Sequence, residues 1–433
     1  VNTLTRPIDS SSLLLFRLVT GILIAQELIN GLFLGKFHEY TAPIFNFSYL
    51  FFEWVRPWPY GGMVAHYTVT ILAALAVAFN FKYRLSSILL FAGYTSLFLM
   101  EQTEYINHAY LYSLISFWLM VLPLNQKRSH FPAWMLYMIL FHMGLAYFYG
   151  GIAKINSDWI AGRPMNLFLE HRKDHFFGFL YQAKWASYFF SYGGILFDLL
   201  IVPMMIIKKT RLLGFMLSLC FHLSNVVMFG LATFPWFSLL LTSLFFDPSW
   251  PRKIPLFSRY LVSKTEPPKG TKPSPLLLSL LGLYIIIHLS LPLRHWLYPG
   301  VTSWTEEGHM FSWRMMLRHK RGTLSYFVQN KTTKEIIPIN PLEFITQRQY
   351  GDIIGKPDLM LQFAHFLRDH YGKLWSSEVS VFASSRVSLN GRPKKEMIKP
   401  GTDLAREERS LLKYEWILPL AETQSANYSG TSF

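Results

Sequence analysis

Apolar runs of about 20 residues, the length needed to cross a bilayer, alternate with short polar stretches from the start of the chain to residue 294. By that criterion nine segments are expected to span: 11–31, 62–80, 86–103, 107–124, 132–152, 189–207, 212–228, 231–247 and 274–294. Only a few residues separate 86–103 from 107–124, and 212–228 from 231–247, so each pair is expected to form a tight transmembrane hairpin. The first run is long enough to span and stay, and is not expected to be a cleaved signal.

Beyond residue 295 the pattern changes. Residues 323–329 and 334–339 read as two strands around Asn330-Lys331-Thr332-Thr333. Residues 379–389 and 392–398 flank Asn390-Gly391, a strong hairpin signal. Leu359, Phe363, Phe366 and Leu367 line one face of a helix within 357–371. The expected fold is therefore an integral membrane protein, mainly α: a bundle of about nine transmembrane helices over 1–295, then a small α+β (β-rich) extramembrane domain over 296–420. The linker 264–273, with Pro267, Pro268, Gly270 and Pro273, reads as a loop. The tail 421–433 reads as disordered.

Composition agrees with the pattern. Of 433 residues, 51% are hydrophobic and only 15% charged, which is too apolar for a soluble enzyme. The single cysteine, Cys220, excludes an intrachain disulfide. The net charge of +15 follows the membrane rather than nucleic acid. With the N-terminus inside, the inner loops hold Lys82 and Arg84; Lys127 and Arg128; Lys208, Lys209 and Arg211; and Arg252, Lys253, Arg259, Lys264, Lys269 and Lys272. The outer turns near 104–106 and 229–230 hold no Lys or Arg. The positive-inside rule thus favours a cytoplasmic N-terminus and a C-terminal domain outside: periplasmic or extracellular in a bacterium, the endoplasmic reticulum lumen in a eukaryote.

That topology gathers polar residues at one depth, the outer leaflet. Asn107 and His108 open the fourth span; Lys154 ends the fifth; His222 and Asn225 lie in the seventh; His66 opens the second and His295 ends the ninth. Titratable groups sharing one depth in an apolar bundle form a candidate site. Each also has a plainer reading. Lys154 can snorkel to the headgroups, or act as a base if desolvated. His108 can sit in the interface as an amphipathic ring. His222 and Asn225, three residues apart, can simply hydrogen-bond across helices. Arg17 and Asp198 lie at lipid depth and are expected to pair as structural charges. No metal is expected: there is no HExxH, and no close His pair with a carboxylate. P-loop, GxGxxG and GxSxG contexts are also missing from the sequence.

Several segments, in order, carry a family resemblance: Arg6-Pro7-Ile8-Asp9, Phe16-Arg17, Asn107-His108-Ala109-Tyr110-Leu111-Tyr112, Gly151-Ile152-Ala153-Lys154-Ile155-Asn156-Ser157-Asp158-Trp159, Phe221-His222-Leu223-Ser224-Asn225 and Trp250-Pro251-Arg252-Lys253. Leu291-Pro292, His295, Ser312-Trp313-Arg314-Met315-Met316 and Asn340-Pro341 continue it. The sequence resembles the vitamin K-dependent γ-glutamyl carboxylases and their bacterial relatives with a horizontally transferred transmembrane (HTTM) domain, over nearly the whole chain to about residue 420.

The resemblance implies a lyase that couples epoxidation of vitamin K hydroquinone to γ-carboxylation. Lys154 would be the base that deprotonates the hydroquinone. Oxygen then adds, the oxygenated intermediate removes a γ-proton from a glutamate, and the carbanion takes up CO2. Asn107 and His108 match positions that hold and polarise the quinone; His222 and His295 match histidines near the site. The implied co-substrates are reduced vitamin K, O2 and CO2; the implied partners are membrane lipid and a glutamate-containing exported polypeptide, with no nucleic acid. A site in the outer leaflet can be reached by quinol from lipid and by glutamate from the aqueous side. Three positions depart from the animal enzymes: Val301 replaces a tyrosine near the glutamate site, Ala153 a second lysine, and Tyr105 a tryptophan. They leave open a quinol epoxidase without carboxylation. A non-catalytic membrane scaffold or lipid-binding protein is the alternative of a different class.

Overall fold

A computed structural model describes residues 2–125, 128–174, 178–259, 261, 266 and 273–420. Most of the linker 264–273 and the whole tail 421–433 lie outside the described residues. The chain divides into two compact units. The first is Val1–Arg294 with Met310–Leu317 and Phe344–Thr346; the second is His295–His309 with Arg318–Glu343 and Gln347–Phe433.

The first unit is helical. Its main helices are α1 (Ser11–Phe33), α2 (Tyr60–Ala78), α3 (Tyr83–Met100), α4 (Asn107–Val121), α5 (Trp134–Lys154), α6 (Ala186–Ile206), α7 (Arg211–Phe229), α8 (Phe234–Ser243) and α9 (Pro275–Ser290). Seven helices among the described residues are long and apolar enough to cross a membrane, α9 counting with its 3-10 extension to Leu297. Nine is therefore not confirmed as the span count. Helix α4 has 15 residues and α8 only 10, short of the ~20 a crossing needs. Pro123 explains the first case: it forces Leu122 into an extended conformation and stops α4. Helix α7 is closed by Gly230 at φ 65°, and α8 restarts only at Phe234.

Burial ranks these helices. Two thirds (67%) of the apolar window of α5 is buried, against 6% for the last span. Helix α5, which carries Lys154, is thus central, and α9 is peripheral. A short ribbon, β1 (Pro7–Asp9) with β2 (His130–Pro132), ties the first span to the entry of α5. Asp9 accepts a 2.7 Å hydrogen bond from Arg252 Nε and caps Ser11 N at 2.9 Å. The Arg6–Asp9 and Trp250–Lys253 motifs, some 240 residues apart, thereby meet as one clasp.

The second unit is a four-stranded antiparallel sheet of order β4-β3-β5-β6, with β3 (Lys320–Asn330), β4 (Ile336–Ile339), β5 (Val379–Leu389) and β6 (Lys395–Glu396). Leu324, Tyr326 and Val328 alternate inward along β3. Helix α10 (Pro357–Trp375) packs Leu359, Phe363 and Leu367 into the same core, with the Tyr326 and Phe363 rings 5.1 Å apart. Asn390 (φ 52°) and Gly391 (φ 80°) make the expected turn. The strand after it is shorter than expected, because Pro393 has no N–H to give to the ladder. Glu306 sits partly buried in this unit between Arg318 and Lys320, each 2.6 Å away.

Candidate active site

Lys154 is the last residue of α5 and is only 7% exposed. Its Nζ is ion-paired with Asp198 Oδ2, from the middle of α6, also buried. The expected Arg17–Asp198 pair does not form. Arg17 instead donates to Leu124 O at 2.7 Å and lies 5.8 Å from the Tyr83 ring. The reason is local. The carbonyl of Leu124, in the turn beyond α4, offers Arg17 a partner, while Asp198 has a cation one helix away.

Small residues set that approach. A Cβ on Gly151 would lie 2.7 Å from Leu199 Cδ2 and 3.2 Å from Asp198 Cβ. Only a glycine lets α5 and α6 come this close. Beyond Lys154 the helix is closed by Asn156, whose Oδ1 accepts from Trp159 N at 3.1 Å while its Nδ2 donates to Ala153 O at 2.9 Å. The Trp159 ring then lies 5.5 Å from the Lys154 ammonium, and its Nε1 donates to Ser191 O on α6 at 2.7 Å. The motif from Gly151 to Trp159 is thus a device for holding one amine against one carboxylate in a dry place.

From this pair a chain of contacts leads to the other expected residues. Phe197, next to Asp198, meets the His222 ring at 6.0 Å. Tyr147, two turns before Lys154, is hydrogen-bonded to His222 Nε2 at 2.7 Å. His222 is fully buried, and its Nδ1 has no hydrogen-bond partner among the described residues. Its ring lies 6.3 Å from Phe234, on which the His108 ring stacks at 5.4 Å and 27°. Asn107 is oriented by Tyr105, whose hydroxyl donates to Asn107 Oδ1 (3.1 Å) and accepts from Phe311 N (2.7 Å). Lys154, Asp198, His222, His108 and Asn107 therefore belong to one contiguous set.

The HTTM domain family matches residues 5–250, and the family described as vitamin K-dependent gamma-carboxylase, lumenal domain, matches residues 273–423. The chain belongs to the vitamin K-dependent gamma-carboxylase family. No solved structure matches it. As a gamma-carboxylase family member it carries the membrane-embedded helical part and the second, sheet-containing part in the family's order.

Other residues of this family member fall outside that set. Asn225 sits half-buried one turn from His222 and makes no hydrogen bond among the described residues. His295 belongs to the second unit, packed against Gly308. His66 serves helix packing, accepting from Trp58 Nε1 at 3.2 Å and bonding Gly93 O at 2.9 Å. Among the described residues no group of three or more His, Cys, Asp or Glu could hold a metal ion.

Four features escaped sequence reading. Tyr147 was one tyrosine among many. Glu27 was a lone carboxylate inside the first apolar run, a signal by itself at lipid depth. His142, fully buried, accepts from Trp118 Nε1 at 2.9 Å and bonds the Tyr284 hydroxyl at 2.7 Å. Finally, Phe311, Trp313 and Met316 all have positive φ (62°, 55° and 60°), a strained backbone for residues with a Cβ. Their segment packs into the first unit, with Met315 against Gly150, one turn before Lys154.

Proposed function

We propose that this protein oxidises reduced vitamin K to its epoxide with Lys154 as the base, and that it couples this oxidation to γ-carboxylation of glutamate on an exported polypeptide. The observation that carries the reading is the buried Lys154–Asp198 pair, joined through Tyr147, Phe197, His222 and Phe234 to His108.

A flat, mostly apolar aromatic diol suits the residues present. The Phe234 and His108 rings offer stacking surfaces. The buried Nδ1 of His222 needs a polar partner, since such an atom is costly to leave alone. When bound, the hydroquinone together with O2 supplies the strong base that carboxylation requires. The protein's part is to move protons and exclude water. Asp198 is placed to take the proton of the Lys154 ammonium, leaving an amine that can act as a base. Asn107, fixed by Tyr105, and His108, fixed by Phe234, hold and polarise the quinol oxygens. The N-terminus is cytoplasmic in this reading and the sheet-containing unit lies outside.

Val301 favours a second reading, epoxidation without carboxylation. It is 45% exposed and stands where animal enzymes carry a tyrosine near the glutamate. The test is to supply purified protein with reduced vitamin K, O2, labelled CO2 and a glutamate peptide. Epoxide with labelled peptide supports the full reaction. Epoxide without label leaves the epoxidase. No epoxide rejects both.

A further inference from the structure

Glu27 is a carboxylate in the span α1 that the reaction above does not use. Both its oxygens are engaged: Tyr94 donates to Oε1 at 2.9 Å and Thr233 to Oε2 at 3.1 Å. Thr233 immediately precedes Phe234, the ring on which His108 stacks. Glu27 also lines a cavity of about 20 Å³ with Lys36, Tyr40, Tyr67, Tyr94 and Glu104. That volume holds about one water, and its walls supply the two to four polar partners a buried water needs. At the far side, Lys36 and Glu104 form a 3.9 Å ion pair, and Lys36 is 26% exposed.

An ionisable group at membrane depth, hydrogen-bonded on both oxygens and lining a water-sized cavity, is arranged for proton transfer rather than packing. We propose that Glu27 is a proton relay. It accepts a proton released on the His108 side of the site and passes it through a water in the cavity to the Lys36–Glu104 pair and the aqueous surface. Only O–H and N–H bonds form and break, and the proton ends in bulk water. The relay rests on the proposed coupled reaction: hydroquinone and O2 give epoxide and water with no net proton, and the conversion of a γ C–H bond and CO2 into a carboxylate releases one proton per turnover. The groups that face Glu27 and shape its response to pH are Tyr94 from α3, Tyr67 from α2, Lys36 and Tyr40 from the short helix after α1, Glu104 from the turn before α4, and His108 from α4.

The test compares Glu27→Gln, Glu27→Asp and the pair Tyr94→Phe and Thr233→Val in lipid nanodiscs. The relay predicts that Glu27→Gln slows carboxylation-coupled epoxide formation, at saturating quinol, CO2 and glutamate peptide, by at least about tenfold. KM should hold, the solvent deuterium isotope effect should rise, and small weak acids or Glu27→Asp should restore the rate. Tyr94→Phe and Thr233→Val, which loosen the hold on the carboxylate but keep it, should slow the rate less than Glu27→Gln does. A Glu27→Gln enzyme with unchanged rate and isotope effect overturns the relay. So does a loss matched by Tyr94→Phe and Thr233→Val and insensitive to weak acids. If the wild type makes no epoxide, the proposed function falls, and infrared spectroscopy decides the relay separately. A pH-dependent carboxyl band that shifts in D2O and vanishes in Glu27→Gln upholds it; no such band rejects it.

Discussion

Lys154 and Asp198 form a buried ion pair across α5 and α6, and each is the other's compensation for leaving water. Removing one partner of such a pair strands a charge, at a cost of about 3–5 kcal/mol. Asp198→Ala is therefore expected to lower the thermal stability of the purified protein more than Lys154→Ala with Asp198→Ala combined. Thermal unfolding in detergent measures this directly. A double variant no more stable than Asp198→Ala alone contradicts it.

The glycine approach gives a second prediction. Gly151→Ala places a methyl 2.7 Å from Leu199 Cδ2. Overpacking of this kind costs about 1–3 kcal/mol. The helices should separate and loosen the Lys154–Asp198 contact, lowering activity as well as stability. Adding Leu199→Ala makes room for the new methyl. The double variant should recover activity; a Gly151→Ala defect untouched by Leu199→Ala argues against the packing account.

Tyr147 fixes His222 through one hydrogen bond of 2.7 Å. Tyr147→Phe leaves the ring in place but frees the imidazole to turn. We expect a fall in kcat for epoxide formation with little change in KM for the quinol, because orientation rather than bulk is lost. Equal loss in Tyr147→Phe and Tyr147→Ala would instead point to packing.

Glu306 sets a pH limit on the second unit. Burial alone would push its carboxyl up, but Arg318 and Lys320 hold it down to about 2, from an ordinary 4.5. A carboxyl lowered on folding contributes stability that is fully present above its unfolded value and is lost as pH falls through the folded one. The window is therefore from about 4.5 down to about 2. Hydrogen exchange over residues 304–320 should accelerate across that range in the wild type. In Glu306→Gln the pH dependence should flatten, with lower protection already at pH ~7.

What was legible in the sequence was whatever one segment decides alone. Apolar length placed the spans, and Asn390-Gly391 announced its hairpin through a backbone that only such residues adopt easily. Depth in the nine-span reading is what put Asn107, His108, Lys154 and His222 forward as one candidate site. Partner choice was not legible. Asp198 could meet Arg17 or Lys154 by depth alone, and the outcome turned on the missing side chain of Gly151 and the carbonyl of Leu124 just after Pro123. Two of the expected spans, α4 and α8, came out short for a related reason. Apolar residues that continue past Pro123 or precede Phe234 look like helix to a length criterion, while backbone geometry ends or delays the helix there. Glu27 was visible as a charge in an apolar run, but its worth depends on Tyr94, Thr233 and a cavity drawn from five other segments.

The central claim is that Lys154 is the base for quinol oxidation. The most direct measurement is epoxide formed from reduced vitamin K by wild-type protein and by Lys154→Ala in nanodiscs, each with and without a small external amine. The account predicts epoxide from the wild type, none from Lys154→Ala, and partial recovery of the variant when the amine is added. Epoxide formed by Lys154→Ala at the wild-type rate without added amine would contradict it.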